Sequence, residues 1–281
     1  MALSIQSNSA ATTIRNQLNR TNDGLSVALE RLGTGFRINS AKDDAAGLQI
    51  ATRLSAQLVG QETAINNANN ASAMLQTAEG AFEEMTNIAY RMKELATQGA
   101  NGTNSTEEYT ALNGEFAALT AELTSIMENT SFGAGTTLLD STTGKLGSGS
   151  VTFQIGSSAA ETLSVDISAD VTLVDTAITA LGTGPSTQAA AQASMADVDD
   201  LLESIGSARA NLGASMNRLD HTINNLSNMT ENTGAARDQL MDADFAKETS
   251  NMTKQQLLLN SGISVLSTAN TTTQMVSQLL R

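Results

Sequence analysis

"ATRLSAQLVGQETAINNANNASAMLQTAEGAFEEMTNIAYRMKEL", Ala51 to Leu95, is the stretch that decides the architecture. Its apolar residues Ala51, Leu54, Leu58, Ile65, Ala68, Leu75, Ala78, Phe82, Met85, Ile88, Met92 and Leu95 recur in steps of three and four, skipping Gln61 and Ser72. That is the heptad rhythm of a helix that buries one seam. No proline interrupts the series, and Gly99 followed by Asn101-Gly102 supplies a stop. A helix from about Ala41 to Thr97 would be ~85 Å long at ~1.5 Å per residue. Such a length predicts a rod.

Four further stripes keep the same rhythm. Ala11, Ile14, Leu18, Thr21, Leu25, Ala28 and Leu32 form one near the N-terminus. Tyr109, Leu112, Phe116, Leu119, Leu123 and Ile126 form a shorter one, and Val198 to Met229 a longer one. Met252, Leu259, Leu266, Ala269, Thr273, Val276 and Leu280 close the chain. Any one stripe alone is an ordinary amphipathic helix. Five of them, polar away from the seam, predict a mainly α protein of long antiparallel helical rods and coiled coils.

The centre differs. Ser131 to Ser150 is turn-rich, and Val151, Phe153, Ile155 and then Leu163, Val165, Ile167 alternate with polar residues. Period two predicts a β-hairpin within about 131–168, with its loop near Gly156 to Thr162. Residues 182–190, "GTGPSTQAA", read as a linker into the next helix. The expected domains are therefore 1–41 with 241–281, a terminal coiled-coil domain, and 42–240, a rod-like helical domain with the hairpin. No separate outer domain is expected.

"INSAKDDAAGLQIATRL", Ile38 to Leu54, offers adjacent carboxylates beside a lysine. They suit an acid/base site or a helix start. Ser40 stands three residues before Asp43, the spacing of a capping box, and acidic groups are favoured in a first helical turn. With no His, Cys or phosphate-cradling loop nearby, Ser40 and Asp43 read as a helix cap.

Composition removes most chemistry. The chain has no Cys, no Trp, one His, one Pro and a formal net charge of -14. Thiol catalysis, Cys-ligated zinc and His-pair metal sites are out, and no catalytic, cofactor or metal residue is expected. His221, one position off the fourth stripe, reads as a surface or packing residue. Acidic balance argues against nucleic-acid partners, and no apolar run reaches the ~18 residues of a membrane span. The N-terminal stretch lacks the pattern of a cleavable secretory signal. Asn101-Gly102-Thr103 and Asn225-Leu226-Ser227 are sequons of the kind expected by chance in an Asn- and Thr-rich chain.

The two terminal stripes belong together. Each is short, carries Thr in its seam and is marginal as an isolated helix. Pairing the N- and C-termini satisfies both seams, through Ile14, Leu18, Leu25 and Leu32 on one side and Leu259, Leu266, Val276 and Leu280 on the other. Leu257, Leu258, Ile263 and Leu279 remain beside the seam, ready for neighbouring copies. Heterologous contacts between identical subunits build helical filaments when no ring closes.

"LERLGTGFRINSAKDDAAGLQIATRL" (29–54), "NANNASAMLQTAEGAFEEMTNI" (67–88) and "MDADFAKETSNMTKQQLLLNSGISVLSTAN" (241–270) closely resemble the terminal signatures of bacterial flagellin. The likeness covers about the first 155 and last 90 residues. It implies a structural subunit of the flagellar filament, involved in motility, outside the cell and exported without a cleavable signal. Implied partners are further copies of itself, an export chaperone, a filament cap and hook-junction proteins. "YRMKELATQ" (90–98) is similar to the family segment seen by the mammalian flagellin-sensing Toll-like receptor, which implies a receptor face at Arg91, Leu95 and Glu115. Two other readings compete: a hook–filament junction protein, and a soluble coiled-coil adaptor.

Overall fold

The computed structural model describes residues 8–133, 135–182 and 184–279. Helix α1 spans Ser9–Thr34, α2 Ala45–Gly99 and α3 Thr106–Asn129. Strands β1 (Ser131–Phe132), β2 (Thr136–Thr137), β3 (Val151–Gln154) and β4 (Thr162–Val165) follow. Then come α4 (Ser168–Ala180), α5 (Gln188–Met241) and α6 (Phe245–Leu279). The fold is mainly α, as the heptads require, and the five stripes fall on α1, α2, α3, α5 and α6.

The start of α2 corrects the expected cap. Ser40 and Asp43 lie in a turn before the helix. There the Asp43 carboxylate accepts from the Ser40 hydroxyl at 2.9 Å, the Ser40 amide at 2.9 Å and the Asn39 amide at 3.2 Å. The serine oxygen is a donor here, so it caps nothing. Asp44 is the true cap: its side chain accepts from the Gly47 amide at 2.8 Å and its carbonyl from the Leu48 amide at 3.0 Å. A Cβ on Gly47 would meet Asp44 Oδ2 at 2.5 Å and Ile38 Cδ1 at 2.8 Å. Glycine lets the cap and the buried Ile38 close onto the first turn.

The chain divides into two compact units, one formed by Met1–Ala56 with Asn232–Arg281, the other by Gln57–Glu231. The divisions fall at Ala56 and Asn232 rather than at 41/42 and 240/241. In the second unit α5 runs antiparallel to α2. Gln188 donates to the Ala100 carbonyl at 3.1 Å, Lys93 to the Met195 carbonyl at 2.8 Å, and Arg209 pairs with Glu79 at 2.8 Å. The seam residues Leu75, Phe82, Met85, Met92 and Leu95 of α2 are buried with Phe116 and Leu123 of α3 and Leu201, Ile205 and Leu212 of α5. Removing each such side chain from water is worth ~1.5–3 kcal/mol.

β3 and β4 pair antiparallel with Phe153 opposite Leu163 and Val151 opposite Val165, the hairpin that the alternation predicted. Two features went unread. β1 and β2 form a two-residue pair, Phe132 opposite Thr136. Residues 168–180 are helical, and Val171, Val174, Ile178 and Leu181 bury a seam in steps of three, four and three. The linker ends at Gln188. Within it Gly184 has φ 61°, and a Cβ there would meet Asn113 Oδ1 at 2.6 Å.

Asp44→Ala should cost about 1 kcal/mol in urea unfolding, the usual value of a lost cap, and speed amide exchange at Gly47 and Leu48. Asp43→Ala should leave those two amides protected. The Ser40 hydrogen bonds hold the Asp43 carboxyl below its ordinary pKa of 3.8. Stabilisation of that turn is therefore complete above this value and lost as pH falls through the depressed one.

Candidate assembly interface

In the first unit α1 and α6 lie side by side and antiparallel. The Arg31 guanidinium donates to Glu248 at 3.1 Å. Further along, a Cβ on Gly24 would touch the Gln255 amide at 3.0 Å, and one on Gly262 would meet Leu18 Cδ2 at 2.7 Å. At the far end the Asn8 amide donates to the Ala269 carbonyl at 3.3 Å. Asn8 also caps α1, accepting from the Ala11 amide at 3.0 Å.

Two heptad stripes meet in this pair. Ile14, Leu18, Leu25 and Leu32 are half-buried beside the buried Thr21 and Ala28. Opposite them Met252, Gln255, Leu259, Gly262, Leu266 and Ala269 are half-buried in the same alternating steps, with Glu248 buried. Six of the expected seam residues are thus on the facing stripes. The side chain of Val276 and the whole of Leu280 lie outside the described residues. Gly262 was not singled out from sequence, although its place in the heptad, between Leu259 and Leu266, marks a close helix crossing.

The ion pair sets the register. Glu248 is 6% exposed, its second oxygen accepts from Asn251 at 3.3 Å, and the Nε of Arg31 is buried with no partner among the described residues. Sliding α6 by one turn would strand a buried carboxylate, at a cost of several kcal/mol. Where the chain leaves α1, Gly35 takes φ 79° and its amide donates to the Arg31 carbonyl at 2.9 Å. A short antiparallel bridge follows, with Phe36 opposite Asp242, Ala243 donating to Gly35 at 2.9 Å and Arg37 to Met241 at 2.6 Å.

Pairing leaves much apolar surface open. On α6, Phe245, Leu257, Leu258, Ile263, Val265 and Met275 are between 45% and 63% exposed. Phe245 and Ile263 are eighteen residues apart, about five turns, and so share one face. Leu257 and Met275 share a second by the same spacing, and Leu258 and Val265 a third. Large apolar side chains left in water on more than one side of a helix are ones that further partners can cover. Ile14, Leu18, Thr21, Leu258, Gly262 and Val265 line a groove between the two helices.

The expected receptor face is only partly at the surface. Arg91 is exposed and donates to Glu115 at 2.6 and 2.9 Å and to Glu94 at 2.6 Å. The bonds to Glu115 and then Glu94 raise the guanidinium's affinity for its proton. Leu95, however, is 1% exposed and belongs to the core of the second unit. That corrects its assignment: Leu95 is a core residue of the α2 heptad, and Glu94 and Glu115 hold Arg91 in place. His221 is exposed. Among the described residues no group of three or more His, Cys, Asp or Glu could hold a metal, and no helix is long and apolar enough to cross a membrane.

The family model for the bacterial flagellin N-terminal helical region matches residues 5–144, and that for the C-terminal helical region matches residues 195–280. The chain belongs to the bacterial flagellin family. It is 38% identical to a flagellin of Halalkalibacterium halodurans, over 90% of this chain and 91% of that one. It is 32% identical to polar flagellin C of Vibrio parahaemolyticus, over 96% and 97% of the two chains. That alignment runs over 378 positions against 281 residues here, so the Vibrio flagellin is the longer chain. The crystal structure of Bacillus cereus flagellin superposes with a TM-score of 0.51 at 30% identity, over 61% of this chain and 94% of that one. A putative flagellar hook-associated protein of Vibrio parahaemolyticus gives a TM-score of 0.57 at 17% identity, a likeness of fold alone. As a flagellin the protein is a structural filament subunit of the bacterial flagellum, and not an enzyme.

Gly262→Val should force α1 and α6 apart at Leu18, because its Cβ has no room. We expect a loss of about 1–3 kcal/mol for the terminal unit by urea unfolding. Amide protection should fall in α1 and α6 and stay unchanged in α3.

Proposed function

We propose that the α1–α6 pair is the part of this flagellin that polymerises, and that it forms the core of the filament by coiled-coil packing against further copies. The carrying observation is the apolar side chains that α6 leaves in water beyond the seam it shares with α1, Phe245, Leu257, Ile263 and Met275 among them. One partner helix covers one face, so the remaining faces call for several neighbours. Neighbours that are identical and meet head to tail make an open helical polymer. The unit Gln57–Glu231, which buries its own core, would then be the filament's outer part.

The same surface argues for the remaining partners. Exposed Leu257, Leu258, Ile263 and Val265 would associate before export, so an export chaperone that covers α6 fits this helix. Cap and hook-junction proteins would meet it at the two ends of the filament, outside the cell. Arg91 and Glu115, held together on the surface, are the residues a Toll-like receptor would contact. The hook-associated likeness stands on fold alone, and a soluble adaptor leaves the outer faces of α6 without purpose.

Two variants test the reading. Removal of all residues after Asn251 should give a soluble chain that forms no filaments after seeding, seen by electron microscopy. Leu257→Asp replaces a side chain already 63% exposed and outside the groove with α1, so helicity and thermal unfolding of the subunit should stay as they were. Its elongation should nonetheless fail, because burial in a polymer would strand the charge. Normal filaments from either variant would remove the tail from the assembly surface.

A further inference from the structure

The chain holds two Asn-Gly pairs, Asn101–Gly102 and Asn113–Gly114, and the structure treats them oppositely. Asn101 and Gly102 are exposed in the turn between α2 and α3. The Thr103 amide donates to Asn101 Oδ1 at 3.3 Å. That bond folds the side-chain amide back over the following backbone and draws electrons from its carbonyl. Among the described residues no acceptor takes the Gly102 amide. With no side chain on Gly102, nothing shields its nitrogen from the Asn101 Cγ.

Asn113–Gly114 lies inside α3. There the Gly114 amide is held by the carbonyl one turn back, and a helical backbone keeps it away from the preceding side chain. Asn113 Oδ1 is buried without a partner among the described residues and packs where Gly184 passes. The side chain is held, and the nitrogen it would need is engaged.

We infer that Asn101 is a site of spontaneous deamidation, with water as the only co-reactant. The Gly102 nitrogen loses its proton to solvent and bonds to Asn101 Cγ. The Cγ–Nδ2 bond breaks, and ammonia leaves with the proton returned. Water then opens the five-membered imide. Attack at the side-chain carbonyl gives aspartate, and attack at the main-chain carbonyl gives isoaspartate, with one extra methylene in the backbone. Either product adds one negative charge to a chain already at -14, in a turn bordered by Glu94, Glu107 and Glu108. The turn is also where α2 hands over to α3, and Asn101 O accepts there from the Tyr109 hydroxyl at 3.4 Å and the Asn104 amide at 3.4 Å.

The test uses the full-length protein, incubated folded at mildly alkaline pH and cut after glutamate. Peptide 95–107 then carries Asn101 and peptide 109–115 carries Asn113, and fragment spectra place the gain of about one dalton. In the folded protein we expect conversion at Asn101 to run at least about tenfold faster than at Asn113, whose reaction must wait for local opening of α3. In guanidinium the two rates should converge. Gly102→Ala, whose Cβ meets only the Gln188 side-chain amide at 3.3 Å, should slow the Asn101 reaction severalfold with the fold kept. Equal rates at the two asparagines in the folded protein, no conversion at either, or an undiminished rate in Gly102→Ala would each overturn the assignment.

Discussion

A helix pair that satisfies itself along one seam and leaves the rest of α6 in water is the constraint from which the function follows. Ile14, Leu18 and Leu25 of α1 meet Leu259, Gly262 and Leu266 of α6 closely enough to define a fold. They still remain half-buried, because two helices cannot enclose a core. The second unit has no such deficit: Leu75, Phe82, Phe116, Leu123 and Leu201 are 1% exposed or less. One unit thus buries its core within the monomer, and the other leaves apolar side chains of α6 in water.

Specificity within the pair comes from few groups. Apolar heptads slide past one another at little cost, since every step of seven residues restores the pattern. The Arg31–Glu248 contact breaks that degeneracy, as does the close approach of Leu18 to Gly262, where a larger residue would have to displace it. In the second unit the exposed pairs, such as Arg91–Glu115, are worth about 1 kcal/mol or less each. Buried heptads dominate there.

Most of the fold was legible because a single period ran through it. Ala51 to Leu95 announces α2 by repetition, and alternation at Val151 and Leu163 announces the hairpin. The misses have physical reasons. Asp43 and Asp44 are adjacent, and which carboxylate faces the first free amides depends on where the chain turns, not on spacing from Ser40. Helix α4 is only 13 residues long, and its seam of Val171, Val174 and Ile178 also suits a strand and loop. Leu95 was read from a motif as surface, although its own heptad position places it inside. The seam of α1 and α6 was legible in its apolar members. Arg31, Glu248 and Gly262 were not, since their meaning exists only once the partner helix is beside them.

The pairing of α1 with α6 has a kinetic corollary. Arg31 and Glu248 are 217 residues apart in sequence. Closing a loop of that length in an unfolded chain costs about 5 kcal/mol of entropy beyond the constant for any closure. Once Gln57–Glu231 has folded, only the segments flanking it remain free, roughly a fivefold shorter loop, and the cost drops by about 1.4 kcal/mol, or tenfold in probability. The centre of the molecule therefore acts as a template that brings the extremities together late. A chain still being synthesised has no partner for α1 until α6 has emerged. Adhesiveness is delayed until both helices exist.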